Sequence, residues 1–166
     1  MVFWTKVARH FSGTGNSSYS TIIFTERAVD IIGAAGGSPA EPFFIYLAYQ
    51  ATHTPLQAPP EVIARFSHIK DGSRRTLAAM AAVVDEGVGN ITTALKAAGS
   101  YPNTVILLSG DNGGQVRAGG NNFPLRGWKG SLWEGGCRSS ALAHSALFPA
   151  RPHFSWCGGT FSHRHA

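Results

Sequence analysis

An aspartate and an asparagine stand side by side in the loop Ser109-Gly110-Asp111-Asn112-Gly113-Gly114. They offer hard oxygen ligands, the type that Ca²⁺ or Mg²⁺ prefers. The flanking glycines let the backbone approach closely and adopt positive φ. A second glycine-rich loop, Gly119-Gly120-Asn121-Asn122, leads into Arg126-Gly127-Trp128-Lys129-Gly130. Two cations therefore lie about fifteen residues beyond the Asp-Asn pair, in backbone that glycine keeps compact. Metal-ligating oxygens, cations and glycine turns together suit an oxyanion ester, a sulfate or a phosphate. A further candidate, His53, occurs in Ala51-Thr52-His53-Thr54-Pro55. Taken on its residues alone, it is better read as a histidine that caps or packs a loop.

These residues need elements to position them. Thr104-Val105-Ile106-Leu107-Leu108 is a β-branched apolar run, short enough for a fully buried strand. Phe43-Phe44-Ile45-Tyr46-Leu47-Ala48 is a second run, bounded by Pro42 and Gln50. It reads as another buried, parallel strand. From Ser73 to Ala98, Leu77, Met80, Ala81, Val84, Val88, Ile91 and Leu95 recur at spacings of three and four. That spacing predicts a long amphipathic helix ending at Gly99, with Asp85 and Glu86 on its solvated surface. Strand, helix and strand in this order imply a parallel sheet with a right-handed crossover. Ligands bind at the carboxyl ends of parallel strands, which would place His53 beside Asp111 and Asn112. A helix starting at Ser20 or Thr21, with Ile22, Ile23, Ala28, Val29 and Ile32 on one face, is predicted to stop at Gly33. Pro59-Pro60-Glu61 starts a short one.

Composition narrows the class. The 166 residues are 43% hydrophobic and only 14% charged, with 20 glycines, which suits a buried α/β sheet. The formal charge of +5 hints at an acidic partner. Basic residues are scattered, however, so no nucleic-acid partner is expected. No run is long and apolar enough for a transmembrane segment, and residues 1–11 do not read as a secretion signal. Cys137 and Cys157 could pair or both be free. Asn16 and Asn90 each begin an N-glycosylation sequon.

The wording of residues 104–136 is specific. Asp111-Asn112-Gly113-Gly114, followed by the AGGNN, PLRG and SLWEGG strings around Lys129, resembles the sulfatase family, in particular its arylsulfatase B-like (N-acetylgalactosamine-4-sulfatase-like) branch. The likeness runs from about Tyr19 to Gly136. It implies a partial alkaline-phosphatase-like three-layer α/β fold with a mostly parallel sheet, incomplete in this chain. It also implies a sulfuric ester hydrolase acting on sulfated glycosaminoglycan sugars or aryl sulfates, lysosomal or secretory, with a formylglycine nucleophile and Ca²⁺. By resemblance, Asp111 and Asn112 form half of the Ca²⁺ shell. Lys129 bridges toward the sulfate oxygens, and His53 contacts the sulfate or leaving oxygen. Lys129 could otherwise be a solvated lysine, and Arg126 is read as a structural bridge between the glycine loops. Trp128 and Trp133 are read as packing residues.

Two family features have no counterpart in the sequence. The nucleophile arises from the Cys of a Cys-x-Pro-Ser-Arg-like motif, which neither Cys137 nor Cys157 begins, and no Asp-Asp pair completes the metal shell. The expected organisation is a poorly ordered segment at 1–18, a partial catalytic domain at 19–136 and a divergent tail at 137–166. These residues alone are expected to be inactive. A non-catalytic module that binds sulfated glycans through Lys129, His53 and Arg126 is the alternative, and a phosphoester hydrolase ranks below both. Two strands with uncovered faces predict marginal stability or aggregation of the isolated chain. A broad, weakly cooperative thermal transition is expected, and a sharp cooperative melt of the purified monomer would contradict it.

Overall fold

The computed structural model describes residues 19–35 and 42–148, together with the backbone of two short strands further on. The expected disorder of residues 1–18, the Asn16 sequon and most of the divergent tail lie outside the described residues.

Helix α1 spans Ser20–Ala34, α2 Pro60–Arg65 and α3 Gly72–Ala97. The long helix is where its periodicity predicts it. Asp71 caps it, its carboxylate accepting from the Arg74 backbone N–H at 2.7 Å. At the other end Gly99 has φ of 70°. Ser100 N–H then reaches Leu95 O at 3.0 Å, and Gly99 N–H reaches Lys96 O at 3.1 Å. This left-handed stop satisfies carbonyls that the last turn leaves open. Pro60 opens α2, where a missing N–H costs nothing.

The core lies between helices. Val62, Ala79 and Val83 are buried, with Tyr19, Ala58, Ile63, Phe66 and Ala82 packed against them. Glu86 forms an ion pair with Arg65 across to α2, while both side chains stay about half exposed. The buried row of α1 is Thr21, Thr25, Ala28 and Ile32, whereas Ile22 is 41% exposed. That row differs from the expected one because two threonines serve the helix contact. Thr25 Oγ1 donates to Thr21 O at 2.7 Å. Its single hydrogen is thereby used, so the Tyr49 hydroxyl donates to Thr25 Oγ1, also at 2.7 Å. A Cβ on Gly87 of α3 would lie 2.6 Å from Thr25 Oγ1 and 2.9 Å from the Tyr49 hydroxyl. Glycine in mid-helix, normally unfavourable, is what lets α1 and α3 close on this bond.

Strand β1 covers Val105–Ser109, β2 Ser140–Ser145, β3 Ser155–Cys157 and β4 Thr160–Phe161. They form one sheet in the order β1-β2-β3-β4, every pair antiparallel. The α/β class stands, but the parallel pairing expected for β1 is not found among the described strands. Alternate residues of 42–50 are more and less exposed, as along an extended chain, yet they join no ladder among the described residues. Nor is β1 fully buried: Leu107 is 74% exposed. A continuous apolar run fits a strand covered on both faces, and the described residues do not cover both faces of β1. The segment after Gly136, only partly strand-like by sequence, forms β2. Ser145 closes it, donating to Thr104 O at 2.6 Å.

Two predictions follow from the α1–α3 contact. Gly87→Ala should destabilise the fold by about 1 kcal/mol or more, overpacking outweighing the gain in helix propensity, as read from a denaturation midpoint. Burial also raises the Tyr49 hydroxyl above its ordinary 10.0, against a smaller lowering by Thr25. The unfolded chain then loses this proton first, so the contribution is intact below about pH 10 and declines as pH rises through the folded value. Tyr49→Phe should flatten that alkaline loss of stability.

Candidate functional site

The loop after β1 is held by backbone packed directly on backbone. Gly110 N–H donates to Ser140 O at 3.0 Å, and Gly113 N–H to Gly136 O at 2.9 Å. Gly135 N–H reaches Arg126 O at 2.7 Å, and Lys129 N–H reaches Gly114 O at 3.1 Å. A Cβ on Gly135 would lie 2.5 Å from Gly127 O, and one on Gly113 would run into the Gly135 carbonyl. Any side chain at these positions would separate the two loops. Gly135 and Gly136 are the two middle residues of the short helix α4, Glu134–Cys137.

Asn122 fastens the arrangement. Its Oδ1 accepts from Gly114 N–H at 2.8 Å, while Nδ2 donates to Gly114 O at 2.8 Å and to Gly127 O at 3.1 Å. Sequence reasoning assigned Asn122 no task. A paired Asn-Asn after two glycines reads as turn chemistry, and nothing local marks one of them as a clamp. The loop is also tied to α3. Gly119, with φ of 84°, packs 2.8 Å (from a notional Cβ) off the Arg74 backbone nitrogen, and Arg74 Nη1 donates to Gly119 O at 3.0 Å.

Asp111, Asn112 and Lys129 thus belong to one connected loop system. The Asp111 carboxylate is exposed and Lys129 is partly buried. Neither side chain is paired with another described residue. Asn112 Nδ2 donates to Gly113 O at 2.8 Å, leaving Oδ1 as its ligating atom. Among the described residues no group of three or more His, Cys, Asp or Glu side chains could hold a metal ion. One carboxylate and one amide oxygen suit part of a hard-cation shell, and six to eight oxygens are needed to complete it.

Among the described residues Arg126 does not bridge the loops through its side-chain donors as expected. Its guanidinium lies over the Trp133 ring, 3.7 Å from the centroid. Trp133 is therefore a stacking partner for arginine, although half of it is exposed. His53 lies in the turn that follows residues 42–50. Its backbone N–H reaches Gln50 O at 2.9 Å, and Nδ1 lies 2.8 Å from Thr54 O. A carbonyl can only accept, so Nδ1 carries a hydrogen and Nε2 is left as the free ring nitrogen. No hydrogen bond connects His53 to the glycine loops among the described residues. Cys137 is exposed and forms no disulfide. Asn90 is exposed on α3, and Thr92 of its sequon donates to Val88 O at 2.8 Å.

The sulfatase family model matches residues 3–147. The chain belongs to the sulfatase family. Mouse arylsulfatase J is 48% identical over 132 residues, covering 80% of this chain and 22% of that protein. Mouse N-acetylgalactosamine-6-sulfatase is 29% identical over 150 residues, covering 84% and 27%. The crystal structure of Ps i-CgsB in complex with k-i-k-neocarrahexaose superposes with a TM-score of 0.76 at 44% identity, over 81% of this chain and 30% of that one. The chain spans less than a third of the length of each of these sulfatase relatives.

Asn122→Ala should free the Gly127 carbonyl and the Gly114 N–H and leave the Gly114 carbonyl to the Lys129 N–H alone. Hydrogen exchange at Gly114 and Lys129 would then quicken about tenfold or more. Unchanged exchange at both amides would show that the glycine contacts hold the loops without it.

Proposed function

We propose that this chain is the part of a sulfuric ester hydrolase that supplies half of the cation site and the sulfate-facing cation. In the whole enzyme, sulfate would leave a sulfated sugar or aryl sulfate, with a formylglycine nucleophile and Ca²⁺, in the lysosome or secretory route. The observation that carries this reading is the single loop system that joins Asp111 and Asn112 to Lys129 through the Lys129 N–H to Gly114 O bond of 3.1 Å. Asp111 and the Asn112 Oδ1 would hold Ca²⁺, which when bound supplies Lewis-acid stabilisation of charge on the sulfuryl oxygens. Lys129 would neutralise a sulfate oxygen as a point charge on a flexible stem. His53, with Nδ1 engaged on Thr54 O, would offer Nε2 to the sulfate or leaving oxygen. Asn90 remains a glycosylation candidate on the exposed side of α3.

The 166 residues contain neither the Cys-x-Pro-Ser-Arg-like motif nor an Asp-Asp pair. By themselves they would bind sulfated glycan without cleaving it, and in that state they act as the non-catalytic module of the alternative reading. Their division at 1–18, 19–136 and 137–166 is part of the same proposal.

Chondroitin sulfate is the direct probe. The purified chain should retain it at low ionic strength and release it as salt rises, with no free sulfate produced. Lys129→Ala should weaken retention about three- to tenfold, whereas Lys96→Ala, at the opposite end of α3 from the turn that meets Gly119, should not. Sulfate release by this chain, or equal loss from both substitutions, would overturn the assignment.

A further inference from the structure

Residues 126–136 form a loop that closes on itself. Gly135 N–H donates to Arg126 O at 2.7 Å, and the Arg126 guanidinium lies over Trp133, 3.7 Å from the ring centroid. Arg126 thus engages one short segment, 133–135, with both its carbonyl and its side chain. These two contacts close the neck of the loop. Gly127, with φ of 92°, fits inside it, where a Cβ would lie 2.7 Å from Trp133 Cβ. Beyond the neck, Trp128 N–H donates to Ser131 Oγ at 3.1 Å, and Ser131 N–H donates to Trp128 O at 2.9 Å. Lys129 stands between those two residues, in a turn that Gly130 completes with φ of 91°.

The same neck supports the Asp111-Asn112 loop. Gly136, the residue after Gly135, accepts from Gly113 N–H at 2.9 Å. Lys129 N–H in turn reaches Gly114 O. Whatever holds 133–135 against Arg126 therefore holds Lys129 relative to Asp111 and Asn112. At the neck the side-chain contribution is the Arg126–Trp133 stack. An arginine suits this task and a lysine does not. The planar guanidinium lies flat on an indole, whereas an ammonium is a compact, strongly hydrated point charge.

We infer that Arg126 is a positioning residue for Lys129: stacked on Trp133, it holds the turn that aims the Lys129 ammonium, and it does not itself bind the anion. This rests on the sulfatase reading above for the anion, and it replaces the expectation that Arg126 is one of the glycan-binding cations.

Two readouts on the full 166-residue chain test it: hydrogen exchange without glycan, and chondroitin sulfate retention across a salt series. Arg126→Lys keeps the charge and loses the flat stack. It should quicken exchange at the Gly135 and Lys129 amides about two- to fivefold, the value of an exposed cation–π contact. Retention should weaken by a similar factor with its salt dependence unchanged, whereas Lys129→Ala should flatten that dependence. Trp133→Leu should match Arg126→Lys, and the double variant should lose no more than either alone. Trp133→Phe, which restores an aromatic face, should recover most of both losses. Both side chains are exposed, so helical circular dichroism should stay the same throughout. Unchanged exchange in Arg126→Lys would overturn the inference. So would retention kept in Arg126→Lys but lost, with a flatter salt dependence, in Arg126→Ala, because Arg126 would then contact the anion directly. The sulfate reading fails separately: retention indifferent to Lys129→Ala faults that reading, while faster exchange in Arg126→Lys still supports the hold of Arg126 on the turn.

Discussion

Backbone packed on backbone where the loop after β1 meets residues 126–136 fixes the positions of Asp111, Asn112 and Lys129. Gly113 lies against Gly135, and Gly135 against Gly127, with no room for a side chain between them. Such contacts are short and stiff, and they spend glycine's conformational freedom to gain close approach. Asn122 then joins Gly114 and Gly127 by three hydrogen bonds. The chemistry-bearing side chains project from this base rather than helping to build it. That is why the Asp111 and Lys129 side chains have no partner among the described residues.

The helices support the loops from one end. Asp71 caps α3, and three residues later the same turn receives Gly119 against the Arg74 backbone. The α1–α3 contact at Gly87, Thr25 and Tyr49 in turn anchors the extended stretch that carries His53. Hydrogen bonding and close packing thus run from the helical layer toward both candidate regions. His53 and the glycine loops are nevertheless attached to different parts of that layer.

Much of this was legible in the sequence where one signal decides the structure. Spacing of three and four, followed by Gly99, places α3 to within a residue at each end. The run at 104–108 marks β1, and the glycine strings mark the loops that follow it. The face of α1 was not legible, because Thr21 and Thr25 count as polar until Tyr49 and Gly87 are brought beside them. Nor was the exposure of β1: a continuous apolar run states that a strand can be covered on both faces, not that the covering residues lie in the same chain. The antiparallel return of β2 was obscured by the mixed composition of Ser140–Ser145, whose polar Ser145 is buried by its bond to Thr104 O. Asn122 carried no local signal at all.

Calcium titration followed by backbone amide chemical shifts is the most direct measurement of the central claim. The loops should respond together, with shifts confined to residues 110–114 and 126–130 at calcium concentrations of about a millimolar or above, since half a shell binds weakly. Asp111→Asn should abolish them. Shifts scattered over the surface, shifts that persist in Asp111→Asn, or none at calcium well above the weak end of such sites, about 1 mM, would contradict the assignment of this loop system as the cation-binding half of a sulfatase site.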